Sequence, residues 1–130
     1  MKIKGLMLPV LFFLCSHAAV ADCTKPTNSY DRTYCTAKLF MESDKELNDV
    51  YKELTALVKP NLKKKIVSVQ LSWLKFRNNA CEALGSINVD CNYKVNKERT
   101  EFWRDRLREC KTGHCREDLM LKDTWIAPVS

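Results

Sequence analysis

Glycine and histidine are scarce in this sequence: three glycines and two histidines occur in 130 residues. So little glycine leaves no Gly-rich loop whose backbone could cradle a phosphate, which removes the usual nucleotide-binding classes. His17 lies in the N-terminal apolar region, so His114 is the one histidine left beyond it for acid–base or metal chemistry. Long hydrophobic runs are also missing after residue 21, and no membrane-spanning helix is expected there. Alternating apolar and polar residues, the mark of a half-buried strand, are almost absent, so helices should dominate. Charge is modestly basic, with 22 Lys and Arg against 16 Asp and Glu. The densest basic points are Lys63-Lys64-Lys65 and the cluster Arg104, Arg106, Arg108. The second is interleaved with Asp105 and Glu109, which fits a solvated helix face rather than a nucleic-acid patch.

What is present at the N-terminus has the order of a secretory leader. Lys2 and Lys4 precede an apolar stretch from Leu6 to Leu14, and Ala19-Val20-Ala21 supplies small residues at the expected cleavage point. Residues 1–21 are therefore read as a signal peptide and 22–130 as a single domain that is periplasmic or secreted. Lipidation is not expected, because Leu14 precedes Cys15 and Asp22 precedes Cys23, and neither is the small residue that modification needs. Six cysteines remain after the leader: Cys23, Cys35, Cys81, Cys91, Cys110 and Cys115. An even set in a short exported chain points to three disulfides. Many connectivities are possible, and the spacing favours neighbours: 23 with 35, 81 with 91, 110 with 115. The segment CKTGHC also suggests zinc, but it lacks a second well-spaced ligand pair. No metal or cofactor is assigned.

Helical periodicity divides the chain into three parts. Tyr34, Leu47, Tyr51, Leu54 and Val58 recur at helical spacing, predicting a helix over about 31–59, capped by Ser29 or Asp31 and ended by Pro60. A second helix is predicted over about 62–84, with Leu62, Ile66, Val69, Trp73, Phe76 and Ala80 on its buried stripe, until Gly85-Ser86-Ile87-Asn88 breaks the pattern. A third is predicted over about 95–110, then a helical turn near 117–121 and an irregular tail. The expected fold is all-α: a long antiparallel helical hairpin plus a third packed helix, braced by disulfides.

In an antiparallel hairpin, the numbers of facing residues keep a constant sum. Centred on Pro60, this places Asp44 opposite Arg77, Leu47 opposite Leu74, Asn48 opposite Trp73 and Tyr51 opposite Gln70. The otherwise apolar stripe VQLSWLKFRNNAC contains Gln70 and Arg77, and the register explains them. An inward Arg needs a carboxylate and further hydrogen-bond partners. A structural polar network of Asp44, Asn48, Gln70, Trp73 and Arg77 is expected, serving to fix register.

These same residues resemble a known family. Asp44, Leu47-Asn48, Tyr51 and then Gln70, Trp73, Arg77 and Cys81 are similar to the D-x-x-L-N-x-x-Y and Q-x-x-W-x-x-x-R-x-x-x-C motifs of the LprI-like lysozyme inhibitor domain family. Cys35 ahead of the first motif, and Cys91 followed by Arg99, resemble its flanking elements. The sequence departs in carrying Asn96 where that family has Thr, and in adding Cys110 and Cys115. The resemblance implies an all-helical exported protein that acts by protein contact, with a lysozyme or related cell-wall hydrolase as partner.

Lys63, Lys64 or Arg104 could approach the two catalytic carboxylates of such a glycosidase. Catalysis by this chain itself is not expected, and carboxylate pairs such as Glu42 and Glu46 are routine on amphipathic helices. Two rival functions remain. One is an envelope binding module for anionic polymers or lipids, built on Trp103 beside Arg104 or on Trp125; the other is an immunity protein to a secreted toxin.

Overall fold

The computed structural model describes residues 22–126, and the segment read as a leader lies outside them. Helix α1 runs Ser29–Leu57. Its cap is Asn28, ahead of both expected candidates, Ser29 and Asp31: the Asn28 side chain accepts a hydrogen bond from the Asp31 backbone N–H at 2.8 Å. Asp31 remains useful in the first turn, where a carboxylate faces the positive end of the helix dipole. Val58 and Lys59 are extended. Pro60 then opens helix α2, Pro60–Cys81, at the first helical position, where its missing N–H is harmless.

The segment after α2 holds the one strand pair among the described residues. Strands β1 (Glu82–Ala83) and β2 (Ser86–Ile87) pair antiparallel across Leu84 and Gly85. Both turn residues have positive φ, 51° and 79°, as a two-residue hairpin of this hand requires. The left-handed Leu84 therefore halts the second helix at Cys81 rather than at 84. Helix α3 (Val89–Lys111) starts six residues earlier than periodicity suggested. Its first turns lack an apolar stripe but are anchored otherwise: the Asn88 side chain accepts from the Cys91 N–H at 3.0 Å, and Cys91 is bonded to Cys81. A short helix α4, Glu117–Met120, buries Met120 completely.

The three disulfides join 23 to 35, 81 to 91 and 110 to 115. They fasten the N-terminal segment to α1, the end of α2 to the start of α3, and the end of α3 to the segment leading into α4.

Contacts across the helices give their directions. Ser43, Glu46 and Glu53 of α1 meet Asn96, Lys97 and Lys111 of α3, so these two helices run parallel. Gln70 and Arg77 of α2 meet Trp103 and Asn96 of α3, so that pair runs antiparallel. The chain reverses at Pro60 as expected, but the close partner of α1 is α3, not α2. A groove of about 350 Å³ separates α1 from α2, walled by Asp44, Leu47, Asn48, Tyr51, Gln70, Leu74 and Arg77. Of the predicted facing pairs, Asp44 and Arg77 meet directly, at 2.9 Å. The core of Leu47, Leu54, Leu62, Ile66, Trp73, Val95, Trp103 and Leu107 forms where α3 meets both other helices.

Glu46 ties α1 to α3 by accepting from Lys97 at 2.9 Å and from Arg104. These two bonds, Lys97 first, hold the Glu46 carboxyl below its ordinary value of 4.5. Because its folded value is depressed, Glu46 stabilises the protein above about pH 4.5, and that contribution disappears as pH falls through the lowered value. Its partners Lys97 and Arg104 are 40% and 32% exposed. We therefore expect Glu46→Gln to reduce stability at neutral pH by only about 1 kcal/mol. Urea unfolding at neutral pH and at pH values well below 4.5 should show the gap between parent and variant closing in acid.

Candidate functional site

The most densely bonded polar groups lie where α3 crosses the other helices. Arg77 Nη1 donates to Asp44 Oδ1 and to Asn96 Oδ1, each at 2.9 Å, while Nε and Nη2 donate to Asn78 Oδ1. Asn96, fully buried, turns its amide nitrogen to Ser43 Oγ at 3.2 Å and to Asp44 Oδ1 at 3.3 Å. One amide thus both accepts from Arg77 and donates to its counter-ion. Asn96 binds three helices at one point, through both ends of an amide.

One turn further along α3, Gln70 Oε1 accepts from Arg99 Nε at 3.0 Å and from Trp103 Nε1 at 2.9 Å. The buried α3 positions Asn92, Val95, Asn96, Arg99, Thr100, Trp103 and Leu107 recur every three or four residues. The helix therefore presents a regular inner stripe, built largely of polar side chains.

Of the expected network, Asp44, Gln70, Trp73 and Arg77 stand at or near this seam, and Asn48 does not. Asn48 is exposed on the groove wall and makes no side-chain hydrogen bond among the described residues, because the gap between α1 and α2 keeps it from Trp73. Gln70 likewise faces α3 instead of Tyr51. Trp73 contributes its ring face: the guanidinium carbons of Arg77 and Arg99 lie 5.7 and 5.4 Å from it. Asn96, Arg99 and Trp103 are the members that hairpin reasoning missed. Their spacing on α3 was the available signal.

Arg99 is the most unusual group in the molecule. It is 4% exposed, pairs with no carboxylate among the described residues, and its Nη2 has no hydrogen-bond partner. Burial pushes its guanidinium down to about 9, so it still carries charge at neutral pH. Aromatic rings replace a counter-ion: Trp103 at 4.3 Å, Phe102 at 4.8 Å, Trp73 at 5.4 Å and Trp125 at 5.7 Å from the guanidinium carbon.

The outer surface of α2 differs from the rest. This helix contains no Asp or Glu, and none of Lys63, Lys64, Lys65 and Lys75 forms an ion pair among the described residues. Val67 and Leu71, which also line the α1–α2 groove, are 37% and 56% exposed beside them. Arg104, by contrast, is held by Glu46 and Glu101. The thiols of CKTGHC are joined to each other, and His114 is exposed with Nδ1 beside Thr112 O. Among the described residues, no three His, Cys, Asp or Glu side chains cluster as a metal site would need.

The family model described as lysozyme inhibitor LprI matches residues 22–102. The chain belongs to the LprI family. The LprI match spans α1, α2, the hairpin and most of α3, and so includes Asp44, Gln70, Arg77, Asn96 and Arg99. It stops one residue before Trp103, and the Cys110–Cys115 bridge and α4 follow as additions to the LprI portion. No curated protein and no solved structure gives a significant match. Among the described residues no helix is long and apolar enough to cross a membrane.

Proposed function

We propose that this LprI chain is an exported, non-enzymatic protein that inhibits a lysozyme or related cell-wall hydrolase by direct contact, using the outer face of α2. The observation that carries the contact surface is the basic stripe Lys63, Lys64 and Lys75, without ion-pair partners among the described residues, flanking exposed Val67 and Leu71. Glycosidases of this kind work with two carboxylates in a cleft, and a lysine-edged apolar ridge is complementary to that cleft in charge. Family membership supports the partner class. Three disulfides support export, since such bonds persist in oxidising compartments. Arg104 is no longer a candidate for the contact, because its charge is engaged within the protein.

The rival envelope-binding reading needed a basic face with an exposed aromatic. Trp103 is fully buried and Trp125 is half-buried against Phe76, which weighs against that reading. Target choice follows charge: a positively charged inhibitor associates faster with a less basic bacterial muramidase than with a strongly basic animal lysozyme.

A cell-wall clearing assay with the oxidised protein, titrated against both enzyme types, tests this reading. We expect dose-dependent protection, strongest against the less basic enzyme and weakened by added salt. The double variant Lys63→Glu, Lys64→Glu changes only exposed positions, so stability should move by less than about 0.5 kcal/mol per site. Its inhibitory potency should fall about tenfold or more. No protection at large excess over either enzyme would reject hydrolase inhibition and leave a secreted toxin as the partner to pursue. Full potency in the double variant would move the contact off α2.

A further inference from the structure

Arg99, whose Nη2 is buried and has no hydrogen-bond partner among the described residues, lines a cavity of about 310 Å³ whose walls include Trp73, Phe76, Val95, Phe102 and Trp125. This space is separate from the α1–α2 groove and from the outer face of α2. Its volume falls at the small end of ligand sites, and its lining is mostly apolar; of its four polar residues, Glu98, Lys122 and Thr124 are exposed and Arg99 alone is buried. The Nε of Arg99 is committed to Gln70 on the α2–α3 seam. The other end of the guanidinium is left among Trp73, Phe102 and Trp125, three of the rings that wall the cavity.

From this geometry we infer that the cavity is a binding site for a small monocarboxylate with an apolar body, its carboxylate received by Arg99 and its body packed among the rings. The charge of the ligand follows from the charge of the site. Among the described residues Arg99 is a buried cation without a carboxylate partner, and an anion arriving there gains a charge-assisted hydrogen bond that neutral molecules cannot offer. A single negative charge fits, because a dianion would bring a second charge into walls with nothing to receive it. Lys122 and Glu98 at the cavity edge carry opposite signs and add no net preference for a second anion. The apolar body follows from the walls. Trp125, packed on Phe76 with ring centroids 5.6 Å apart, is the outermost ring and the one displaced when a ligand reaches Nη2.

Isotope-edited NMR titration of the oxidised protein with hydrocinnamate, octanoate and the neutral hydrocinnamamide tests the inference. We expect hydrocinnamate to shift the indole signals of Trp73 and Trp125, and to bind at least about tenfold more tightly than its amide. Whether octanoate matches it decides between an alkyl and an aromatic body, and tight binding of either carboxylate supports the site. Trp125→Ala, in the tail and at the edge of the core rather than within it, should weaken binding about tenfold while leaving the fold intact. Equal binding of acid and amide, no binding of either carboxylate, or shifts confined to the α1–α2 groove would each overturn the proposal.

Discussion

Reduction of the three disulfides is expected to remove about 7 kcal/mol of stability and to leave the protein largely unfolded under conditions where the oxidised form is native. Each bridge closes a short loop, with sequence separations of 12, 10 and 5. Loops of this size contribute about 2–3 kcal/mol apiece by restricting the unfolded chain. The loops do not overlap, so their effects should add. Small domains have only about 5–15 kcal/mol in total. Circular dichroism with and without a strong reductant measures the loss directly, and clearing-assay protection should vanish with it. A reduced protein that melts within a few degrees of the oxidised one would show that the helical core suffices alone.

Gln70→Leu is the point substitution with the largest expected effect, about 3–5 kcal/mol. One carbonyl oxygen serves two buried donors, Arg99 Nε and Trp103 Nε1. Leucine fills the space and accepts from neither. Each stranded neutral donor costs about 1–3 kcal/mol, and a charged one more. The partner experiment removes the charge as well. In the double variant Gln70→Leu, Arg99→Met only the Trp103 indole is left unpaired, so the combined loss should be smaller than the two single losses added together. Urea unfolding of the four proteins gives the coupling. If Gln70→Leu alone lies within about 1 kcal/mol of the parent, the oxygen is not the keystone that its geometry implies.

Sequence patterns located some of these parts well and others poorly, for physical reasons. Pro60 marks a chain reversal from either side, because proline ends one helix and opens the next. The pairing of Asp44 with Arg77 was legible because an inward guanidinium must find a carboxylate and the register allowed one. Asn48 was misplaced by the same argument, which assumed that α1 and α2 touch along their length. Hydrophobic periodicity could not reveal that α3 lies between the claims of both. Its inner stripe includes Asn92, Asn96, Arg99 and Thr100, which a search for apolar spacing passes over. The start of α3 was late for the same reason: its anchors are a cap and a disulfide, not an apolar face. The cavity beside Arg99 depends on residues from α2, α3 and the tail, so no local pattern announces it.

The parallel course of α1 and α3 sets an order of events as the chain is made. The ties between them join residues 51 to 58 positions apart, Glu46 to Lys97 and Arg104, and Glu53 to Lys111. When α1 has been synthesised its main partner does not yet exist, and the intervening α2 offers it only a gapped groove. An isolated amphipathic helix is marginal in water. The nascent chain therefore stays without a core until α3 is complete, near the last fifth of the sequence. Long-range closure of this kind delays folding. If the chain is exported as proposed, that delay keeps it threadable until almost all of it has been made.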